Sequence, residues 1–330
     1  MDFIRGKRIL ITGGAGTVGA AILRALLKRE PETIRVLEND ESRLFDLEQE
    51  FRGQKNIRYL LGDIRDEKRL RTAMKDVDIV FHAAALKHVS ACEYNPFEAI
   101  KTNVMGLQNL IDVAMSEGVE KFIFTSSDKA VNPTNVMGTT KLLGEKLVTA
   151  ANYYKGSHAI KLASVRFGNV IGSRGSVIPL FKKQINDGKP LTVTDPEMTR
   201  FVMSIDDAVA LILKACEIMK GGEVFILKMP VLRLGDLVDA MKELHGHTTV
   251  ERIESKPGEK IFEDLMTAEE SKRALETEDM FIVLPEMKEL LQANDCKYGN
   301  AKKAPIGEYS SKGMPTLSKN DIKSLIRNID

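Results

Sequence analysis

Residues 9–26 read ILITGGAGTVGAAILRAL, and their order decides the fold. A short apolar run passes directly into a glycine cluster, and the cluster passes directly into a segment with apolar residues at helical spacing. Gly14, Gly16 and Gly19 stand in G-x-G-x-x-G spacing, with Gly13, Thr17 and Val18 in the same turn. The pattern predicts a strand, a tight loop and a helix whose free N-terminal amides and positive dipole end face an anion. Side chains at the glycines would hold the backbone away from that anion. Between a strand and a helix, this spacing predicts a dinucleotide pyrophosphate site.

The same rhythm continues outward. Apolar runs at 7–12, 33–38, 57–62, 77–84, 121–127 and 161–170 read as strands, and the segments 16–29, 41–52, 67–74, 95–117 and 136–154 between them read as helices. Strict alternation predicts an α/β fold, a Rossmann-like doubly wound parallel sheet, with ligands beyond the carboxyl ends of the strands. Residues 1–168 form the expected dinucleotide-binding domain. After residue 169 the rhythm breaks into Gly- and Pro-containing loops and a helix near 206–220, so residues 169–291 are expected to be mainly a smaller substrate-binding lobe, some of whose segments rejoin the first domain. Residues 292–330 read as an arm ending in a short helix, with Ser318 and Asp321 spaced as a capping box.

Glu38 closes the second strand nineteen positions after Gly19, where an acid accepts the adenosine ribose hydroxyls. That predicts NAD in preference to NADP, for which Arg43 is the one nearby cation. Asp63 and Ile64 in GDIRD, and Ala83 and Ala84 in FHAAA, end the next two strands and are expected along the adenosine side of the cleft.

The chain has 330 residues, 43% hydrophobic and 29% charged, which suits one large domain or two joined ones. Its 48 Lys and Arg against 47 Asp and Glu give a net charge of +1, no broad field for nucleic acid. An anionic ligand must be met by local basic residues. Cys92, Cys216 and Cys296 are too scattered for a metal site, and an odd count without a secretory leader predicts reduced thiols and a cytoplasmic protein. No window is apolar enough for a membrane span.

TGGAGTVG, GDIRD, FHAAALKHV, SSDKAVNP, MGTTK and RFGNVIGSRGSVIPLF together resemble an extended short-chain dehydrogenase/reductase. Within that superfamily they are similar to the nucleotide-sugar 4,6-dehydratases acting on UDP-N-acetylglucosamine. Residues 126–141, SSDKAVNPTNVMGTTK, carry a departure: most members have Tyr four residues before the Lys, and here Met137 precedes Lys141. A thioether cannot carry a proton. Either the site is inactive or its acid-base work lies elsewhere in the stretch. A capsular subgroup resembles this chain in having Met there, and its membrane-anchored members carry an N-terminal membrane region that this sequence does not show.

The resemblance implies transient oxidation at sugar C4 by NAD, proton removal at C5, loss of the C6 hydroxyl as water and hydride return to C6, with or without inversion at C5. It implies Asp128 as the acid for the C6 oxygen and Lys129 as the base at C5. Lys129 must then be neutral, so burial and nearby Lys141 are expected to disfavour its charge. Met137 and Lys141 share a helix face, Lys141 toward the nicotinamide ribose and Met137 against ring or sugar. Deprotonation of the C4 hydroxyl falls to Asp128, to Ser127 acting as a relay, or to water, with Asp128 favoured. By the same resemblance Lys87, Asn169, Arg174, Ser176, Val177, Arg200 and Glu259 surround the sugar, diphosphate and uridine. Relatives assemble, so a homo-oligomer is expected through the helices 95–117 and 136–154. A UDP-sugar epimerase and a dinucleotide-binding protein without catalysis are the competing readings.

Overall fold

The computed structural model describes residues 2–246, 248–255, 258–287 and 298–327. Strand β1 (Arg8–Thr12) lies inside a ten-stranded sheet, between β2 (Thr33–Glu38) and β4 (Ile79–His82). With β3 (Ile57–Leu61), β5 (Lys121–Thr125) and β6 (Lys161–Arg166) the order is β3-β2-β1-β4-β5-β6, and every pairing among them is parallel. The chain winds one way from β1 to β3 and the other from β4 to β6. A crevice therefore opens beyond the carboxyl ends of β1 and β4.

Both faces of the sheet are covered, which is why its strands read as apolar runs rather than alternating ones. Ile9 and Ile11 pack on one side with Ile22, Leu23 and Leu26 of helix α1 (Thr17–Leu27), while Leu10 and Val80 pack on the other with Leu107, Leu110 and Ile111. All ten side chains are fully buried, each contributing roughly 1.5–3 kcal/mol.

Residues 161–170 do not form one strand. β6 stops at Arg166, and Asn169–Val170 joins Thr199–Met203 and Val231–Arg233 in a separate three-stranded sheet. The change of sheet occurs at Gly168, where a Cβ would stand 2.6 Å from the carbonyl oxygen of Phe201. The smaller lobe begins there. Its helices Val177–Asn186 and Leu234–His245, neither evident in the sequence, bury Ile178, Phe181, Leu237 and Met241.

The lobe is not one continuous segment. Val224–Leu227 extends the main sheet in parallel beside β6, followed by Met280–Val283, Ala274–Glu276 and Lys302–Lys303, all antiparallel. The expected boundary at residues 291–292 lies outside the described residues. The described part of the tail is no free arm: Lys302–Lys303 edges the main sheet, Tyr309–Ser310 pairs with Asp264–Met266, and Ile322 and Ile326 of helix Lys319–Arg327 are buried in the lobe core. Ser318 does cap that helix, its hydroxyl accepting from Asp321 N at 3.2 Å.

The helix expected over 95–117 is Pro96–Ala99, a wide π turn at Ile100–Met105, and Gly106–Ser116. The bulge turns Asn103 inward, where its amide bonds Leu86 N (2.8 Å), Leu86 O (3.0 Å) and Thr140 Oγ1 (3.0 Å), fixing the loop after β4. Tyr94, Phe97, Met105, Leu143 and Tyr154 on the helices around this region are exposed. Among the described residues no helix is long and apolar enough to cross a membrane, and no cluster of three metal-ligating side chains occurs.

Candidate active site

A cleft of about 1130 Å³ runs from the glycine loop to the lobe. The strand-to-helix turn at its floor needs glycine for two reasons. Gly13 has φ +66° and a Cβ there would stand 2.7 Å from Ala84 N and Cα, while a Cβ on Gly19 would strike the carbonyl of Gly13. Helix α1 opens after Gly16 with no capping side chain and no acid in its first turn, so its amides are available to a pyrophosphate. Gly13, Gly16, Thr17, Val18, Gly19, Glu38, Asp63, Ile64, Ala83 and Ala84 all line this half.

Glu38 lies at the end of β2 but spends its carboxylate locally. It accepts from Ala15 N (3.2 Å), Asn39 N (3.0 Å) and Asp40 N (3.3 Å), bracing the glycine loop. Three of about four acceptor sites are thus taken. Asp63, which burial would raise, is held below the usual carboxylate range by Arg65, whose Nη2 is 2.7 Å away. Arg43, Lys87 and Arg174 gather at the same end: burial, then Arg174 and Arg43, push Lys87 below the ordinary lysine value. The Arg174 guanidinium donates to Ala15 O and Lys87 Nζ donates to Arg174 O at 2.7 Å. Arg174, expected at the sugar diphosphate, is placed against the glycine loop.

The turn after β5 carries the acid-base stretch. Ser127 begins a single 3₁₀ turn, Asp128–Ala130, and its hydroxyl donates to Asp128 Oδ1 at 2.6 Å. Lys129 N (2.9 Å) and Lys129 Nζ (3.0 Å) donate to the same oxygen. Asp128 is 0% exposed and, unlike Ser127, Lys129, Met137 and Lys141, does not line the cleft. Asn135 caps helix Val136–Tyr154, which runs over the expected length and presents Met137 and Lys141 to the cleft. Met137 packs with Cys92 and Ala99. Lys141 Nζ donates to Thr125 O at 2.8 Å and lies 4.7 Å from the centre of the Phe124 ring; burial pushes it down to about 8.

The expectation for Lys129 fails. Burial does oppose its charge, but the carboxylates of Asp128 and Glu263 outweigh it and raise Lys129 above the ordinary lysine value. Glu263, absent from the sequence reading, is the missed residue. It lies just past PGEK, immediately before the strand Asp264–Met266, with its carboxylate 3.5 Å from Lys129 Nζ and 3.9 Å from Arg200 Nε. Burial and then Asp128 raise it above the normal glutamate range against the pull of Lys129, Arg200 and Lys260. Two adjacent acids, Glu263 and Asp264, set between Ile261-Phe262 and Leu265-Met266 were the available signal.

On the lobe side Asn169, Ser176, Val177, Arg200 and Glu259 line the cleft. Arg200 is fixed by the carbonyls of Thr199 and Lys260, both at 2.8 Å, and stands 4.0 Å from Glu259. One cleft thus joins a glycine-rich loop with free helix amides, an amine–carboxylate pair and a cationic lobe wall. Such a cleft can hold a dinucleotide end to end with a second phosphorylated ligand and move protons where the two meet.

A family model described as polysaccharide biosynthesis protein matches residues 9–285. Over 99% of its length the chain is 51% identical to an uncharacterized membrane protein of Methanocaldococcus jannaschii, covering 97% of it. It is 43% identical to a UDP-N-acetylglucosamine 4,6-dehydratase (inverting) of Campylobacter jejuni, over 88% of this chain and 86% of that one. A UDP-glucose 4-epimerase of Rickettsia felis is 39% identical over 98% and 96%. The X-ray structure of Pen from Bacillus thuringiensis superposes with a TM-score of 0.94 at 49% identity, covering 99% of this chain and 98% of that one.

Proposed function

The chain belongs to the polysaccharide biosynthesis protein family, and on that premise we propose that it dehydrates UDP-N-acetylglucosamine. In this reading C4 is oxidised, water leaves across C5 and C6, and the sugar becomes a UDP-4-keto-6-deoxy-N-acetylhexosamine. The observation that carries it is the Asp128–Lys129 pair at 3.0 Å, a buried carboxylate under a half-buried amine that lines the cleft with Met137 and Lys141. Epimerisation at C4 needs an oxidation but no elimination, and gives the amine of Lys129 no C5 proton to remove.

A bound nicotinamide dinucleotide would supply the hydride acceptor and donor, its pyrophosphate on Gly13, Gly16, Thr17, Val18 and Gly19, its adenosine beside Asp63, Ile64, Ala83 and Ala84. Lys141 orients the nicotinamide ribose. Met137 closes the space over it without titrating. Arg200, Asn169, Ser176, Val177 and Glu259 receive the uridine diphosphate, with Lys87 toward the sugar. NAD follows from the position of Glu38, but Glu38 is committed to three amides and Arg43 stands on the helix that follows it. That arrangement favours NADP as a second reading, and calorimetric titration with each dinucleotide decides between them.

Incubation with UDP-N-acetylglucosamine, read by mass spectrometry, tests the function. Loss of one water is the expected result. An isomer of unchanged mass means an epimerase, and an unchanged sugar means a binding protein. The exposed Tyr94, Phe97, Met105 and Leu143 support pairing with a second copy, which sedimentation velocity measures directly.

A further inference from the structure

Dehydration asks two opposite things of one place: a base at C5 and an acid at the adjacent C6 oxygen. Lys129 can be the base only as a neutral amine, yet it stands between two carboxylates that favour its cation. The two carboxylates differ. Asp128 Oδ1 accepts from Ser127 Oγ, Lys129 N and Lys129 Nζ, and the residue lies behind the cleft wall. Glu263 lines the cleft, its Oε1 meets Lys129 Nζ at 3.5 Å, and its buried Oε2 has no hydrogen-bond partner among the described residues.

We infer that Glu263 takes the proton that Lys129 must shed and hands it to the departing C6 oxygen, so that base and acid of the elimination are one Lys–Glu pair. The inference rests on the dehydratase reading. The pair begins as ammonium and carboxylate. When a sugar closes the cleft and excludes water, separated charges lose solvation and the neutral pair gains relative to them. The proton crosses from Nζ to Oε1. The amine then removes the C5 proton, and the C–H electron pair becomes the enolate of the 4-ketone. That pair moves on to form the C5–C6 double bond as the C6–O bond breaks, and the leaving hydroxyl takes the Glu263 proton to become water. Lys129 ends as ammonium and Glu263 as carboxylate, so the step returns the pair to its starting state without a proton from solvent.

Other charges facing Glu263 fit this role. Asp128, across Lys129 on the 3₁₀ turn, favours a proton on Glu263, while Arg200 at 3.9 Å and Lys260 limit how far that goes. A carboxyl so balanced can both gain and release a proton within one turnover.

Glu263→Gln removes the relay at constant shape, and we expect elimination to fall roughly 10²–10⁴-fold. It should still bind UDP and still form reduced nicotinamide from UDP-N-acetylglucosamine, because oxidation at C4 does not use the relay. Its residual elimination should rise in proportion to hydroxide, since solvent must now deprotonate Lys129, whereas the native rate is flat over the same pH range. A Glu263→Gln protein that eliminates at the native rate, that loses reduced-nicotinamide formation while binding UDP, or whose residual rate is flat with pH overturns the inference. If the amide variant does not fold, Glu263→Asp decides alone: slower with a flat profile supports the relay, hydroxide-proportional refutes it. A native enzyme that releases no water at all refutes the dehydratase reading instead.

Discussion

Two buried clusters in this molecule have the same charge count, one cation between two carboxylates, and opposite character. In the first, Arg166 meets Glu145 at 3.0 and 2.5 Å, Glu270 at 3.1 and 2.9 Å, and Leu265 O at 2.8 Å. Its guanidinium fork is fully used, and it joins β6, the helix Val136–Tyr154 and the segment carrying Glu263. In the second, Lys129 serves Asp128 and Glu263, and one oxygen of each carboxylate is buried without a hydrogen-bond partner among the described residues. A buried polar atom left unpaired costs about 1–3 kcal/mol. The first cluster is built to stay as it is, and the second holds capacity in reserve for a ligand and for protons.

The largest effect expected from this contrast is at Arg166. Arg166→Met strands two buried carboxylates and should cost about 3–5 kcal/mol in urea unfolding. Lys129→Met should cost less, because Glu263 can take up a proton, while dehydration is lost. Equal losses of stability would break the comparison. Asp128→Asn comes next: turnover should fall at least about 100-fold, with the unfolding midpoint near the native one. A variant that still forms the 4-keto intermediate, before any loss of water, would free Asp128 from the oxidation step and leave it with the positioning of Lys129.

Lys141 gives a smaller effect, and pH separates it from the rest. Its value of about 8 in the fold lies below that of an unfolded lysine, so between pH 8 and about 10.5 the unfolded chain holds more protons and native stability rises with pH. Lys141→Met should therefore be more stable than the native chain by about 2 kcal/mol below pH 8, after allowing for the lost bond to Thr125. The gap should shrink toward pH 10.5, and a gap constant with pH would refute the assignment. Smallest is the exposed Arg24–Glu50 pair at 2.6 Å, where Glu50→Gln should change stability by less than about 0.5 kcal/mol. A larger loss there would show that surface pairs carry weight comparable to the buried ones.

What the sequence made legible was whatever depends on local spacing. Gly13 to Gly19 announce the strand, turn and helix, and the helix at 136–154 begins at an Asn cap and repeats its apolar face, so its bounds and the shared side of Met137 and Lys141 could be read directly. The lobe was less legible because its strands are two to five residues long and pair with segments far away, as Asp264–Met266 does with Tyr309–Ser310. Glu263 was missed for the same reason. Only the fold brings residue 263 to residue 129, and the ionisation of Lys129 depends on that neighbour. Glu38 was legible by position only: it stands where a ribose acceptor would, and the fold adds that its carboxylate also accepts from the amides of Ala15, Asn39 and Asp40.

The last described stretch of chain has a practical implication. Residues 302–303 fasten to the edge of one sheet, residues 309–310 to another, and the closing helix to the lobe interior. Trimming a Lys-, Gly- and Ser-rich tail would look harmless to anyone planning an expression vector, yet here it would unpick three seams at once, including the strand next to Glu263.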